Sequence, residues 1–353
     1  MEQNNQFLWQ KKENNEARLL RVFGDYPVVN LPEEIEGHRL TEIGAYCFSQ
    51  KEHLPKEGVR KSGFLENEPG QTGEQQMQSF HSICGNYVEA VILPDTIEQI
   101  GTCAFYNCTN LKQLEIGKEL QQVGSDAFMN CRLFTQLKIR ADIVDKTGLR
   151  PILNQISSGM EVRFIEKETE LEQNQALEND VSLENTTAVL FYPEYTESYD
   201  EIAPAHIFGR NIEGEGFRAR QCFVDGVLDL ESYDKIFEKA CQEEEVETLF
   251  IMAWNRLCYP VSLKEERREK YAAYLKEHVD FGADHFLQKR DLGALTKLFT
   301  EHDLSDAKQS EIVVKAAELE WIEGTAALLK IKQSKAAPSV ASKYEFEDFY
   351  LNP

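Results

Sequence analysis

The fold is decided by two stretches of one pattern, IEQIGTCAFYNCTNLKQLEI at residues 97–116 and LQQVGSDAFMNCRLFTQLKI at residues 120–139. Both carry a glycine, an Ala-Phe pair, an Asn-Cys pair and a closing aliphatic alternation at the same offsets, 23 residues apart. Alternating residues share one face of a strand, and the glycine allows a tight bend. Agreement at so many positions predicts a solenoid, in which each coil buries its apolar face and strand edge against the next.

The period continues on both sides of these stretches. Val91 lies one period before Leu114, and Met160 lies one period after Leu137. Further upstream, LTEIGAYCF at residues 40–48 repeats the opening of the pattern 57 residues before its counterpart. That distance equals one period plus an insertion of 34 residues, so the repeats begin well before the two matching stretches.

The insertion and the two ends of the solenoid need separate predictions. Residues 49–83 are rich in Gly, Pro, Glu and Gln, which predicts a long exposed loop. The open ends of a solenoid need caps. We expect strands between Phe7 and Phe23 at one end. At the other we expect an amphipathic helix over Ile143 to Ile156 and a final strand over Met160 to Ile165.

The stretch LPDTIEQIGTCAFYNC at residues 93–108 resembles the BspA-like, 23-residue class of leucine-rich repeats. Residues 31–40 look like the first-repeat variant of that class, and the resemblance covers roughly residues 27–140. It implies a right-handed solenoid with a parallel sheet on one face. It also implies a binding function, since some members of the class are surface adhesins.

The fold class predicted for the whole chain is mixed α/β, a short solenoid followed by an α+β segment and helical hairpins. The predicted domains are a capped repeat domain at 1–165, an acidic linker at 166–187, an α+β connecting segment at 188–245, a helical-hairpin domain at 246–332 and a flexible tail at 333–353. The tail ends in an acidic-aromatic run, Tyr344 to Tyr350, for which a plain tail is preferred over a linear motif or a docking segment.

We expect helices in the C-terminal half because apolar residues recur with helical spacing between residues that end helices. The predicted spans are Thr248 to Leu257, a helix from a capping box of Ser262 and Glu265 to His278, Leu292 to Thr300, Glu311 to Leu319 and Ile322 to Ile331. A bend near Gly282 is expected to separate His278 from His285. The last hairpins resemble ankyrin-type hairpins, although the Thr-Pro-Leu-His signature is absent.

The composition excludes two classes of partner. The formal net charge is −23 at pH 7, from 38 Lys and Arg against 61 Asp and Glu, and such a charge repels nucleic acid and anionic membranes. The N-terminus lacks a signal-peptide pattern and the sequence lacks a long apolar run, which predicts a cytoplasmic protein without membrane insertion. The alternative is an exported or cell-surface protein from which a signal peptide has been removed.

The eight cysteines are predicted to be reduced, with Cys108 and Cys131 buried by the repeat. A zinc site is not expected, because the sequence has no CxxC pair and no close His pair. No nucleotide-binding or hydrolase motif occurs, so neither a cofactor nor catalysis is predicted.

The middle segment holds the residues of an alternative in which the chain is an enzyme, although no catalytic residue is predicted. Arg218 and Arg220 would share one strand face and could clamp a carboxylate or phosphate, or could tie this segment to the acidic linker. With His206 and Asp225 they would form the site of an enzyme within residues 188–260.

The preferred function is a non-catalytic protein–protein interaction scaffold. The alternatives are a cell-surface adhesin of the BspA-like type and the enzyme described above. Besides Arg218 and Arg220, the predicted partner-binding residues are the strand positions that point outward from the solenoid, Ala90, Ile92, Gln113, Glu115, Gln136 and Lys138. A solvated face is an equally good interpretation of these positions. The partner and the oligomeric state are left open.

Overall fold

The computed structural model describes residues 5–63, 81–166, 185–202, 207–302 and 304–336. The chain forms two compact units, Met1–Arg267 and Arg268–Pro353. The described strands are β1 (Gln6–Lys11), β2 (Glu16–Phe23), β3 (Val28–Asn30), β4 (Glu34–Ile35), β5 (His38–Ile43), β6 (Val59–Ser62), β7 (Ala90–Ile92), β8 (Gln99–Ile100), β9 (Gln113–Gly117), β10 (Gln122–Val123), β11 (Gln136–Arg140), β12 (Met160–Ile165), β13 (Thr186–Tyr192), β14 (Thr196–Ile202), β15 (Ile207–Glu213), β16 (Phe223–Val224) and β17 (Val227–Leu228). The described α-helices are α1 (Leu149–Leu153), α2 (Gly216–Ala219), α3 (Leu230–Glu243), α4 (Val246–Cys258), α5 (Glu265–Glu277), α6 (Val279–Gln288), α7 (Leu292–Glu301), α8 (Asp306–Glu318) and α9 (Ile322–Ala336).

The described strands of the first unit form two large sheets. The front sheet has the order β13-β12-β11-β9-β7-β3, and the back sheet has the order β10-β8-β5-β2-β1-β6 with β4 beside β5. The front sheet is parallel from β3 to β12, and the back sheet is parallel from β2 to β10. Successive coils thus contribute strands to both sheets. The predicted class, a solenoid followed by a helical region, is confirmed.

The register of the front sheet follows the 23-residue period until the last coil. Val91 pairs with Leu114 and Leu114 with Leu137, as predicted. Leu137 then pairs with Val162, so the prediction that Met160 takes this place is wrong by two residues. The last coil contains α1 where the earlier coils have the Ala-Phe turn, and it is two residues longer. A shift of two keeps the inward face of the strand inward, which is why the shift is tolerated.

The glycine of the repeat is required by close stacking. Ile43 pairs with Ile100, which confirms the predicted distance of 57 residues. A Cβ atom on Gly101 would lie 2.6 Å from the backbone nitrogen of Ala45, and the backbone φ angle of this glycine is not left-handed. The chain does turn directly after this glycine, where Ala104 N donates to Gly101 O at 3.3 Å, but it is the close approach of the Ala45 backbone that requires a glycine. A left-handed residue does occur two positions later, at Cys103 with φ of 55°.

Identical side chains of successive coils touch along the solenoid. The rings of Phe48 and Phe105 stack with centroids 4.8 Å apart, and those of Phe105 and Phe128 stack at 5.3 Å. Asn130 donates a hydrogen bond from Nδ2 to Oδ1 of Asn107 at 2.7 Å. The repeated residue types are thus the ones that contact their own counterparts.

The cysteines of the repeat also join neighbouring coils. Cys108 Sγ donates to the carbonyl oxygen of Phe48 at 3.2 Å, and Cys131 Sγ donates to that of Phe105 at 3.1 Å. Burial raises the pKa of the Cys131 thiol to about 12 and raises that of Cys108 as well. The predicted packing role is confirmed. All eight cysteines are free, and five of them are buried, namely Cys47, Cys103, Cys108, Cys131 and Cys222.

The N-terminal end is closed by antiparallel strands. β1 pairs with β2, as expected between Phe7 and Phe23, and β6 pairs with the other edge of β1. β6 lies inside the insertion at 49–83, so the prediction of a loop throughout that stretch fails at Val59–Ser62. Residues 64–80 of the insertion are outside the described residues.

The C-terminal end is closed by a short helix and a side-chain amide. α1 is only five residues long, because Asp142 and Asp145 close a turn where the longer helix was predicted. Gln155 then accepts a hydrogen bond from the backbone nitrogen of Ala127 at 2.8 Å and donates to Gly124 O at 3.0 Å. An amide side chain thereby occupies polar backbone groups of the last regular coil.

The elements that follow the last coil continue the first unit. β12 occupies the predicted span, but it is not final, since β13 pairs antiparallel with it. The predicted helix over Thr248 to Leu257 is confirmed as α4, which packs against β13. α3 was not predicted. Its N-cap is Asp229, whose side chain accepts a hydrogen bond from Ser232 N. Residues 167–184 of the predicted linker lie outside the described residues.

In the second unit, the described helices α6 and α7 form one hairpin and α8 and α9 form another, with α6 packed on α8 and α7 on α9. The two hairpins turn through residues with left-handed backbone, Arg290 and Glu320. The predicted bend at Gly282 is wrong, because α6 runs through it. Whether the hairpins are ankyrin-like stays a prediction, and the tail beyond Ala336 lies outside the described residues.

Two helix starts differ from the prediction. The capping box is wrong, because Ser262 has a φ angle of 51° and lies in a turn before α5 begins at Glu265. α8 begins five residues earlier than expected, because Ser305 caps it by accepting a hydrogen bond from Lys308 N at 3.2 Å.

We predict that Gly101→Ala lowers the free energy of unfolding by about 1–3 kcal/mol, because the new methyl group overpacks the contact with the Ala45 backbone. Gly293→Ala is the matched control, because a Cβ there meets nothing nearer than 3.5 Å and lies in a helix. It should be neutral or stabilising by about 0.5–1 kcal/mol. Denaturant unfolding followed by circular dichroism checks both. Equal stability of wild type and Gly101→Ala would contradict the stacking explanation.

We also predict that a thiol reagent at mildly alkaline pH modifies the exposed Cys241 first. The five buried cysteines should react only after denaturation, because burial excludes the reagent and, at Cys47, Cys131 and Cys222, raises the pKa to about 12 and suppresses the reactive thiolate. Mass spectrometry of timed labelling reads out each site. Rapid native labelling of Cys108 or Cys131 would contradict the packing described for the coils.

Candidate partner-binding face of the solenoid

The structure brings the six predicted strand residues together on the front sheet. Two rows cross β7, β9 and β11 in register. One row holds Ala90, Gln113 and Gln136, and the other holds Ile92, Glu115 and Lys138. β12 continues both rows with Glu161 and Arg163. We call these eight residues the front face.

The front face changes character along the solenoid. Toward the N-terminal end it is apolar, with the half-buried Ala90 and Ile92 beside Val28, which is 40% exposed. Toward the C-terminal end it is polar and charged, and Gln136 there is exposed. Because the inward positions of the same strands fill the core, the outward positions are not needed for packing.

A guanidinium group fixes the charged end. Arg140 lies in the same outward series as Lys138 and donates to Asp95 Oδ1 at 2.8 Å, to Glu115 and to the carbonyl oxygen of Leu93. Arg163 donates to Glu161 at 2.8 Å. Arg140, Glu161 and Arg163 were not among the predicted partner-binding residues. Arg140 lies two positions beyond Lys138 on the same strand face, and the 23-residue period carries Lys138 and Arg140 onto Glu161 and Arg163, so the outward alternation could have found all three.

Two cavities flank this charged end. A small one of about 220 Å³ is lined by Gln113, Gln136, Leu137, Lys138, Glu161 and Arg163. A larger one of about 540 Å³ lies at the carboxyl ends of the strands and contains Arg140, with six acidic and three basic residues in its lining. Within the described part of the chain, no group of three or more His, Cys, Asp or Glu residues could hold a metal ion.

Arg218 and Arg220 do not share a strand face, so that geometric prediction is wrong. Arg218 lies in α2, where it is half-exposed and pairs with Glu215. Arg220 follows α2 and is only 1% exposed. Its guanidinium donates to four carbonyl oxygens, those of Ile156 at 2.8 Å, Pro193 at 2.6 Å, Gly216 at 2.9 Å and Ser158 at 2.6 Å.

The surroundings of Arg220 are those of a structural residue. Burial lowers its pKa to about 10, and its guanidinium lies over the rings of Tyr195 at 5.1 Å and Tyr192 at 5.9 Å. Its carbonyl partners come from the last coil, from the residue after β13 and from α2. Arg220 therefore ties the end of the solenoid to the segment that follows, and its donors already have partners inside the fold.

The remaining residues proposed for an enzyme site are dispersed. Asp225 is exposed in the turn between β16 and β17, where it lines a cavity of about 440 Å³ with Lys146 and Arg150. His206 lies outside the described residues. The described members of the set do not converge on a reacting atom.

Comparison with known families bears on the solenoid. The family model of the BspA type leucine rich repeat region matches residues 76–187, in six copies. The chain contains a BspA-type leucine-rich repeat region. The resemblance seen in the sequence is thus confirmed, and the match extends beyond residue 140, where the resemblance had ended. The matching family is a repeat family and not an enzyme family.

Among solved structures, the chain is similar to a leucine-rich cell surface protein from Faecalibacterium prausnitzii A2-165, with 18% identity and a TM-score of 0.23. The alignment covers 37% of this chain and 34% of that one, so it spans about a third of the other protein's length. No curated protein matches the chain.

A search of the described helices found none with the length and apolar character needed to span a bilayer.

We predict that Arg220→Met destabilises the first unit by about 3 kcal/mol, because it leaves four carbonyl oxygens without this donor. The matched control is Arg150→Met, at an exposed position, which should change stability by less than about 0.5 kcal/mol. Denaturant unfolding measures both. If the two variants unfold alike, Arg220 does not hold the end of the solenoid.

Proposed function

We propose that the protein is a non-catalytic protein-binding scaffold whose front face contacts a protein partner. The observation that carries this proposal is the outward part of the front sheet, where side chains of four parallel strands form two aligned rows. Exposed sheet faces of repeat proteins commonly bind partners. The BspA-type repeat supports the role of a scaffold, and the front face is the surface that we assign to partner binding.

The arrangement of the front face supports a partner with matching halves. The apolar end offers Ala90, Ile92 and the exposed Val28. The charged end offers Lys138 and Arg163 on adjacent strands, with Glu115 and Glu161 beside them. We infer a partner surface that pairs an apolar patch with a mixed-charge patch, because complementary charges select the orientation of binding.

The rigidity of the scaffold favours this role. The positions of the outward side chains are set by strand pairing, and the strands are held by stacked phenylalanines and by glycine-mediated contacts between coils. A face that is ordered before binding loses little conformational entropy when the partner arrives. The helical unit supplies a further surface for such a scaffold.

A cytoplasmic location is part of this proposal. The reduced thiols that donate to carbonyl oxygens between coils support a reducing compartment. Cell fractionation of the native host, with an antibody against the protein, distinguishes this from display at the cell surface. Recovery in the surface fraction would favour the adhesin alternative.

The binding proposal is tested by photo-crosslinking in the native host. A photoreactive residue at Gln136, at the centre of the front face, should trap a discrete protein partner. The same residue at Met129, which is 48% exposed in the Ala-Phe half of the same coil, should not. Identical crosslinks from both positions, or none from Gln136, would contradict the proposal.

With the trapped partner purified, we predict that Lys138→Glu weakens binding about tenfold, equivalent to about 1.4 kcal/mol, because it reverses a charge in the middle of the face. Val144→Ser is the control, since Val144 is 64% exposed away from the front strands. Titration calorimetry measures the two affinities. An unchanged affinity for Lys138→Glu would place the interface elsewhere.

A further inference from the structure

The last hairpin of the helical unit leaves an apolar stripe exposed. On α9, Ile322 is 83% exposed and Leu329 is 41% exposed, and the exposed Ala326 lies between them. Spacings of four and three residues place these side chains on one side of the helix. Among residues 322–334 of α9, whose burial is described, Gly324 and Leu328 are buried, and both lie on the opposite side. The stripe is thus separate from the contacts that hold α9 in the unit.

The partner helix adds to the same apolar character. α8 packs against α9, and its Val314 is 56% exposed. Leu319, between the two helices, is 44% exposed. Four large apolar side chains on one hairpin are therefore open to solvent, although scattered single residues are what a monomer usually exposes.

The sequence that follows α9 fits this stripe. Residues 344–351 read YEFEDFYL and carry aromatic residues at 344, 346, 349 and 350. The acidic Glu345, Glu347 and Asp348 fall between these aromatic residues. The segment thus combines several large aromatic side chains with three negative charges.

The charges of the two parts are opposite. α9 contains Lys330, Lys332 and Lys335 against a single acid, Glu323, in a chain whose net charge is −23. Lys330 is exposed and makes no ion pair with any other described residue. An acidic segment is attracted to this helix, whereas it is repelled by most of the protein.

The connecting length allows the segment to reach the stripe. α9 has 15 residues and so is roughly 22 Å long. The ten residues from Ala336 to Phe346 span up to roughly 33 Å when extended. Phe346 can therefore return along the helix as far as Ile322. A tethered segment also has a high effective concentration at a site on its own chain.

We propose that residues 344–351 dock on the exposed stripe of α9 in the same chain, with Phe346 and Phe349 covering Ile322 and Leu329. The proposal does not depend on the front face. The sequence alone favoured a plain tail because it did not reveal the open hairpin. The docked segment acts as the cap of the helical stack, since the outer hairpin of such a stack otherwise exposes an apolar side.

Hydrogen–deuterium exchange on the full chain tests the proposal. The double variant Phe346→Ser/Phe349→Ser changes no described residue. It should speed the exchange of backbone amides within residues 322–332 by about tenfold relative to wild type, because an undocked segment no longer stabilises α9. Exchange rates in α9 that are identical in the two proteins would overturn the proposal.

A second arm links the tail to the stripe. Ile322→Ser replaces a side chain that is 83% exposed, so it should fold normally, and Val144→Ser is its matched control in the other unit. Combined with the tail variant, Ile322→Ser should add little further effect, because both changes break the same contact. Fully additive effects would show that tail and stripe act independently and would overturn the proposal.

Light scattering over a range of concentrations distinguishes docking within one chain from coverage of the stripe by a second copy. We expect the mass of one chain and protection of α9 that does not change on dilution. A doubled mass, with protection that is lost on dilution, would mean that a second copy covers the stripe. That result would overturn docking within the chain.

Discussion

The close approach of neighbouring coils at the repeat glycine is the constraint on which the solenoid depends. At Gly101 and Gly124 the backbone of the preceding coil lies where a Cβ atom would be, and at Gly44 the backbone of β2 does. This spacing lets Phe48, Phe105 and Phe128 stack and lets each cysteine thiol reach a carbonyl oxygen one coil away. A side chain at the glycine would separate the coils and weaken all of these contacts together.

The inward residues and the contacts between coils stabilise the solenoid. The outward side chains of the front sheet are therefore not needed for its packing. Their composition can follow a partner instead of the core. The change from Ala90 and Ile92 to Lys138 and Arg163 occurs across four strands whose inward residues remain aliphatic or aromatic throughout. The same separation explains how one architecture can carry different recognition surfaces.

The sequence predicted the strand register of the regular coils, but it did not predict the shifted register of the last coil or the contacts of Arg220. Val91, Leu114 and Leu137 could be aligned because each occupies the same environment in its coil. The shift to Val162 could not be seen, because α1 lengthens the last coil and a two-residue shift preserves the apolar alternation. Arg220 was identified as notable, but its partners lie up to 64 residues away and belong to no period. Its burial therefore had no signal in the sequence.

The end of the solenoid shows how a repeat is stopped without exposing its backbone. A further coil would have supplied peptide groups to the last regular coil. Instead, the amide of Gln155 bonds Ala127 N and Gly124 O, offering a donor and an acceptor as a peptide group does. The carbonyl oxygens of Ile156 and Ser158, which follow Gln155 in the chain, accept hydrogen bonds from the guanidinium of Arg220. Buried polar groups need partners wherever the period ends, so the cap must be built from unique side chains and cannot be read from the repeat.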